Sequence, residues 1–249
     1  MCGICGIVSL TSEPSIDIEI LQKMTNVLQH RGPDGNGIWI DDSKKVGFGH
    51  QRLAIVDLSD AGQQPMATPD GMVQVTFNGE IYNFQELRSD LEKEGYRFRS
   101  RTDTEVLLYL YEMYGEGMVD RLDGDFGFGL WDGRRRKLLL ARDRAGVKPV
   151  YYTRVSDQLL FASEIKSLLQ HPDVSREMDE ESFYHYLTYL VVPSPKTLVK
   201  GIYKLPTAGL LTLEYADRNA SVNIQQYWEP FPGKMQVDKN DLDGQFESL

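Results

Sequence analysis

The stretch Phe126-Gly127-Phe128-Gly129-Leu130-Trp131 sets large apolar residues against glycine at every second position. That period suits an antiparallel sheet with one face buried. The basic run Arg134 to Lys137 follows, between Trp131-Asp132-Gly133 and the apolar Leu138-Leu139-Leu140. It reads as the polar crossing of a hairpin rather than as a phosphate patch. Further strands are expected at Gly3 to Leu10, Val46 to His50, Val73 to Phe77, Val150 to Thr153 and Leu159 to Phe161, with the hairpin itself formed by Phe126 to Asp132 and Lys137 to Arg142.

Helices with readable ends separate these strands. One opens at Asn83 with Glu86 as its capping-box partner, carries Phe84, Leu87 and Leu91 on one face, and stops at Gly95. Another opens at Thr102 with Glu105 three residues on, and runs through Val106, Leu107, Leu110 and Met113 to Gly115. Two more are expected between Ile16 and Gln29 and between Glu180 and Leu190. Hairpin-like groups of strands separated by helices imply an α+β chain in which two antiparallel sheets are layered with helices. The 249 residues, 41% of them hydrophobic, can bury one large core or two small ones.

After Leu190 the texture changes. Val191 to Pro195 carries two prolines, and Gly201 to Leu213 reads as a final hairpin packing back on the domain. Residues 1–214 are therefore expected to form one domain. Residues 215–249 read as a linker and the start of another, with Asp238 to Leu249 as a helix cut short.

A formal net charge of −10 disfavours a polyanionic partner, so neither nucleic acid nor a membrane surface is expected. No stretch approaches the ~20 apolar residues of a membrane span, and no charged leader precedes an apolar core, which points to the cytoplasm. The two cysteines, Cys2 and Cys5, cannot build a disulfide framework. They could be half of a metal site or a redox pair, but no second pair completes a zinc site, and no metal is expected. Cys5, beside Ile4 and Ile7, reads as a buried small hydrophobe.

Cys2 differs because of its position. A small second residue permits removal of the initiator Met1, which leaves Cys2 with a thiol and a free α-amine. That amine, with a pKa of ~7.7–8.0, can take up a proton near neutral pH, so one residue supplies both nucleophile and base.

An ordered set of motifs gives Cys2 a context: His-Arg-Gly-Pro-Asp-Gly at 30–35, Gly-His-Gln-Arg-Leu-Ala-Ile-Val-Asp-Leu at 49–58, Gln-Gln-Pro-Met at 63–66, Phe-Asn-Gly-Glu-Ile-Tyr-Asn at 77–83, Arg-Thr-Asp-Thr-Glu at 101–105, and Ala-Arg-Asp-Arg-Ala-Gly-Val-Lys-Pro-Val-Tyr-Tyr at 141–152. From Met1 to about Leu213 this series resembles the class II glutamine amidotransferases, which are N-terminal-nucleophile hydrolases. Within them it is most similar to the glutamine-dependent asparagine synthetases. The resemblance implies a four-layer αββα sandwich and hydrolysis of L-glutamine to glutamate and ammonia through a Cys2 thioester.

Site roles carry over at matching positions. The Asn78 side-chain amide and the Gly79 backbone N–H match the family's oxyanion hole. Alone, Asn-Gly is a strong turn signal, and a turn is the competing reading. Arg52 matches the residue that takes the substrate α-carboxylate, where a planar two-donor group fits. Glu80 and Asp103 match those around the α-ammonium, and Asp103 equally suits the first turn of a helix. Arg31, Asp34, Asp143, Arg144 and Lys148 read as ion pairs and turn formers.

Glutamine hydrolysis needs no cofactor. The resemblance implies ATP and Mg²⁺ only for a C-terminal synthetase domain of the same polypeptide that amidates aspartate. Its Ser-Gly-Gly-x-Asp-Ser loop does not occur in these 249 residues. A homodimer is compatible with the resemblance, while the acceptor and oligomeric state are not fixed by the sequence. Alternatives are an inactive scaffold, a glutamine-sensing module, or an amidotransferase for another carboxylate.

Overall fold

In the computed structural model, which describes residues 1–11, 13, 16–216 and 219–230, the strands form two six-stranded antiparallel sheets. The first has the order β10 (Ile202–Lys204), β8 (Tyr151–Val155), β9 (Gln158–Ala162), β1 (Gly3–Ser9), β3 (Val46–Arg52), β2 (Gly35–Ile40). The second runs β12 (Asn219–Gln226), β11 (Gly209–Ala216), β7 (Lys137–Arg142), β6 (Gly124–Asp132), β5 (Val73–Ile81), β4 (Met66–Ala67).

Alternation within each strand feeds two cores at once. On β6, Phe126, Phe128 and Leu130 pack under the helices α2 (Phe84–Lys93) and α3 (Thr104–Tyr114). Trp131, on the opposite face, joins Ile4, Phe48, Leu140 and Phe161 between the sheets. A third core lies outside the first sheet, where Cys5 and Ile7 meet Leu21, Met24 and Leu168 of α1 (Ile18–Asn26) and α4 (Ile165–Leu168). Three apolar layers separate four structural ones, which is the expected αββα sandwich. Glycine permits the central layer to close: a Cβ on Gly6 would fall 2.3 Å from the Phe161 ring, and one on Gly129 would fall 2.5 Å from it.

Several local expectations change in detail. α1 begins at Ile18, where the Asp17 carboxylate caps the N–H groups of Glu19 and Ile20. Asn83 precedes α2 but does not cap it, because its side chain bonds Arg121 O at 2.9 Å and Asp123 N at 3.1 Å instead. α3 begins at Thr104, two residues after the expected Thr102. The Glu105 carboxylate turns to the N–H groups of Arg99 and Ser100 rather than back to Thr102. Gly95 and Gly115 end the two helices at φ +97° and +58°. The Arg134 to Lys137 run does cross between β6 and β7.

Gly201 to Leu213 is not a hairpin. Its first strand, β10, pairs with β8 in the first sheet, and its second, β11, pairs with β7 in the second sheet. The intervening turn straps the sheets together, with Arg142 Nη1 donating to Leu205 O at 2.7 Å. β11 pairs instead with β12, which carries the second sheet past residue 214 to Gln226. α5 (Glu180–Tyr189) lies near its expected place. The expected helix from Asp238 lies outside the described residues. Among those described, no helix is long and apolar enough to cross a membrane.

Candidate active site

The pleat of the sheets decides which side chains reach the open end of the inter-sheet layer. On β3, Val46 and Phe48 face the opposite sheet, so His50 and Arg52 do too. On β5, Val75 and Phe77 face the helices, so Thr76, Asn78 and Glu80 face the first sheet. Ile4 and Val8 point inward from β1, and the same alternation turns Cys2 inward. The β1–β3 register pairs Gly3 with Gln51, which brings Cys2 alongside Arg52. Cys2, Arg52, Asn78, Gly79, Glu80 and Asp103 accordingly line one cleft.

Cys2 is held from two sides. Arg31 Nε donates to Cys2 O at 2.9 Å while Arg31 Nη1 pairs with Glu164 Oε1 at 2.9 Å, which anchors the terminal backbone to the start of α4. The Leu53 N–H donates to Cys2 Sγ at 3.4 Å. Burial raises the thiol pKa above its ordinary value, while the Leu53 N–H, the N-terminal ammonium and Arg52 pull against that rise. The resting sulfur is therefore a thiol that needs a base.

Arg52 is buried, and its guanidinium donates to the carbonyls of Ser59, at 2.9 Å, and Asp57. It has no carboxylate partner among the described residues. The segment supplying those carbonyls is itself fixed. Asp57 accepts from Ser59 N at 2.9 Å and from Arg101 N at 3.0 Å, and Asp34 accepts from Ala54 N at 2.9 Å. A held, uncompensated guanidinium suits a carboxylate ligand.

Asn78 and Gly79 lie inside β5, opposite Gly127 and Phe126, and not in a turn. The turn reading fails because β5 continues to Ile81 rather than stopping at Phe77. Asn78 is 1% exposed, yet neither its Nδ2 nor its Oδ1 has a hydrogen-bond partner among the described residues. Burying an amide in that state costs ~1–3 kcal/mol. The N–H groups two residues to either side of Gly79, on the same edge of β5, are taken up, Phe77 N by Gln64 Oε1 at 2.7 Å and Ile81 N by Asp103 Oδ2 at 3.0 Å. Strand alternation aims the Gly79 N–H to the same side, into the cleft. A Cβ there would fall 2.3 Å from Asp125 O, so β6 approaches too closely for any other residue.

Asp103 precedes α3 and is 5% exposed. Burial pushes its carboxyl up to about 6, against the lowering effect of the Ile81 N–H. Glu80 sits exposed at the rim. Sequence reasoning missed Gln64 and Thr104, which hydrogen-bond each other at 3.2 Å and brace the cleft wall, and Leu53, whose N–H faces the sulfur. All three lie within the motifs at 49–58, 63–66 and 101–105, but their roles arise from long-range contacts that the motifs do not specify.

Of the residues read as structural, Asp143 forms a turn, accepting from Val147 N at 2.8 Å and Lys148 N at 2.9 Å. Arg144 donates to Asp120 O at 3.1 Å. Lys148 itself lines the cleft.

The family model described as "Glutamine amidotransferase domain" matches residues 1–228. The chain is 39% identical over 231 residues to "Asparagine synthetase [glutamine-hydrolyzing] 3" of Bacillus subtilis, covering 92% of this chain and 36% of that protein. It is 33% identical over 252 residues to "Amidase chry2" of Gibberella zeae, covering 96% of this chain and 36% of that one. Among solved structures, the glutamine phosphoribosylpyrophosphate amidotransferase of B. subtilis superposes with a TM-score of 0.64 at 20% identity, over 89% of this chain and 49% of the other. The chain thus spans about a third of the curated relatives named here.

Proposed function

The chain belongs to the glutamine amidotransferase family, and on that premise we propose that it hydrolyses L-glutamine to L-glutamate and ammonia, with Cys2 as nucleophile after Met1 is removed. The observation that carries this reading is the meeting, in one cleft, of a half-buried thiol, a guanidinium and a buried amide, the last two without a carboxylate or hydrogen-bond partner, respectively, among the described residues.

In this reaction the freed α-amine of Cys2 accepts the thiol proton as Sγ attacks the side-chain amide carbon of glutamine. The oxyanion that forms takes hydrogen bonds from Asn78 Nδ2 and the Gly79 N–H. The same α-amine returns its proton to the departing nitrogen, releasing ammonia and leaving a thioester. Water then attacks the thioester carbonyl, glutamate departs and the thiol is restored. Arg52 holds the substrate α-carboxylate, and Asp103 with Glu80 holds its α-ammonium. No cofactor enters these steps.

The hydrolysing unit is residues 1–214 together with β12, which completes its second sheet as far as Gln226, and the residues after it lead into a synthetase domain of the same cytoplasmic polypeptide. That domain uses ATP and Mg²⁺ to activate a carboxylate, taken to be that of aspartate, and ammonia from Cys2 converts it to asparagine. Supporting this, the B. subtilis relative is named for the reaction and is nearly three times as long as the matched segment.

Intact-mass measurement before and after treatment with the glutamine analogue diazo-oxo-norleucine tests the proposal. Loss of Met1 and a single adduct on Cys2, prevented by glutamine, is the expected result. Retained Met1 with no adduct would overturn it in favour of a scaffold or a glutamine sensor.

A further inference from the structure

The side chains that line the cleft from β3 and β5 stand at the open end of the inter-sheet layer. Immediately deeper on the same two faces lie His50 and Thr76. His50 is 0% exposed, as is Thr76, and the two side chains meet with Nδ1 3.2 Å from Oγ1. They occupy the boundary between the apolar layer around Phe48 and Phe161 and the polar cleft.

Hydrogen counting fixes the protonation of this pair. Thr76 Oγ1 is 3.3 Å from Gly49 O, a carbonyl that can only accept, so the single hydroxyl proton goes there. The Thr76 oxygen must then accept from His50, which places the imidazole proton on Nδ1. Burial, and secondarily Arg52, hold the ring pKa down at about 3, so it carries no second proton at neutral pH. Nε2 is left as a bare acceptor, buried and without a partner among the described residues. Gly49 and His50 belong to the strand that carries Arg52, and Thr76 belongs to the strand that carries Asn78.

We propose that the His50–Thr76 hydrogen bond is a positioning strut that fixes the separation of Arg52 from Asn78, and so the alignment of bound glutamine against Cys2. This rests on the glutaminase reading of the cleft. His50 touches no substrate. Two sheets joined here by the His50–Thr76 bond and by the Thr76 hydroxyl on Gly49 O cannot slide or spread without breaking them, whereas the apolar contacts deeper in the layer tolerate small shifts. Because the pair sits one pleat below both substrate-facing side chains, its length is transmitted directly to the cleft.

Kinetics of glutamine hydrolysis by the Thr76→Val, Thr76→Ser, His50→Phe and Thr76→Val/His50→Phe variants test the strut, with the melting temperature followed for each. Thr76→Val should lower kcat/KM roughly tenfold to a hundredfold, through kcat as well as KM, as expected for a misplaced reacting group. Thr76→Ser, which keeps the hydroxyl, should stay within about twofold of the parent, and the double variant should be no worse than the poorer single one. Parent-like kinetics for Thr76→Val, or losses that multiply in the double variant, would overturn the strut.

A nitrogen-resolved NMR spectrum of His50 gives a readout independent of activity. The expected state is neutral with Nδ1 protonated from about pH 5 to 8, and an Nε2–H tautomer or protonation near pH 6 would refute the assignment. Absence of glutaminase activity in the parent chain would count against the proposed function alone, and the spectrum would then decide the fate of the strut.

Discussion

The sulfur of Cys2 accepts a hydrogen bond from the backbone N–H of Leu53 at 3.4 Å. Leu53 begins the segment whose Asp57 and Ser59 carbonyls hold Arg52. The proposed nucleophile and the proposed carboxylate site are thus steadied by one stretch of backbone, and a disturbance of residues 53–59 should reach both.

Arg52→Lys leaves a positive charge but removes the planar fork. The Michaelis constant for glutamine should rise about tenfold or more, because a charge-assisted hydrogen bond is worth ~1.5–3 kcal/mol. Steady-state kinetics measures this directly. An unchanged constant would reduce Arg52 to a brace for its loop.

Gly62→Ala tests the same guanidinium from its back side. A Cβ at residue 62 would fall 2.3 Å from Arg52 Nη2, which would have to move. The Michaelis constant should rise while kcat stays near that of the parent, since the oxyanion donors are untouched. Equal losses in both parameters would show that the displacement spreads to Cys2.

Asn78→Ala should lower kcat by ~10²–10³ if the amide stabilises the oxyanion. Because that amide has no hydrogen-bond partner among the described residues, its removal relieves the ~1–3 kcal/mol cost of burying it, and the melting temperature should not fall. Loss of stability without loss of kcat would reverse the assignment.

The Asp103 carboxyl, pushed up to about 6 by burial, gives the site a pH signature. Only its ionised form attracts the substrate ammonium, so kcat/KM should fall tenfold per pH unit below about 6. Asp103→Asn should remove that limb and raise the Michaelis constant. For stability the sign is opposite. A folded-state value above the ordinary 3.8 favours the protonated group. Its stabilising contribution is full below pH 3.8 and fades as pH rises through about 6. The melting temperature of Asp103→Asn should therefore gain on the parent between pH 4 and 8 in the absence of glutamine.

The strands read from alternation were legible because the pleat records burial on every second residue, as in Phe126 to Trp131. β2 escaped notice: its pattern is only partly buried, and Gly35, Asn36 and Gly37 read as loop. The switch between Lys204 and Gly209 from one sheet to the other was illegible for a different reason. Two short strands joined by a Pro-containing turn look alike whether they pair with each other or with strands 50 and 70 residues back. At the cleft, motif order picked out six residues that the fold brings into one lining, while Gln64, Thr104 and Leu53 contribute through contacts made only in the folded chain. The Asn78-Gly79 dipeptide shows the limit of local signals, since a strong turn former lies in mid-strand when β6 packs against it.

β1, which leads directly from Cys2, is an interior strand bonded to β3 on one side and to β9 on the other. β9 ends at Ala162, so on a ribosome adding ~5–20 residues per second the terminal strand waits on the order of 10 s for its second neighbour. For that time β1 lacks its β9 edge, which leaves the terminus open to an aminopeptidase. Birth order thus places the proposed trimming of Met1 ahead of the closing of the sheet around β1, which waits for residues as far as Ala162.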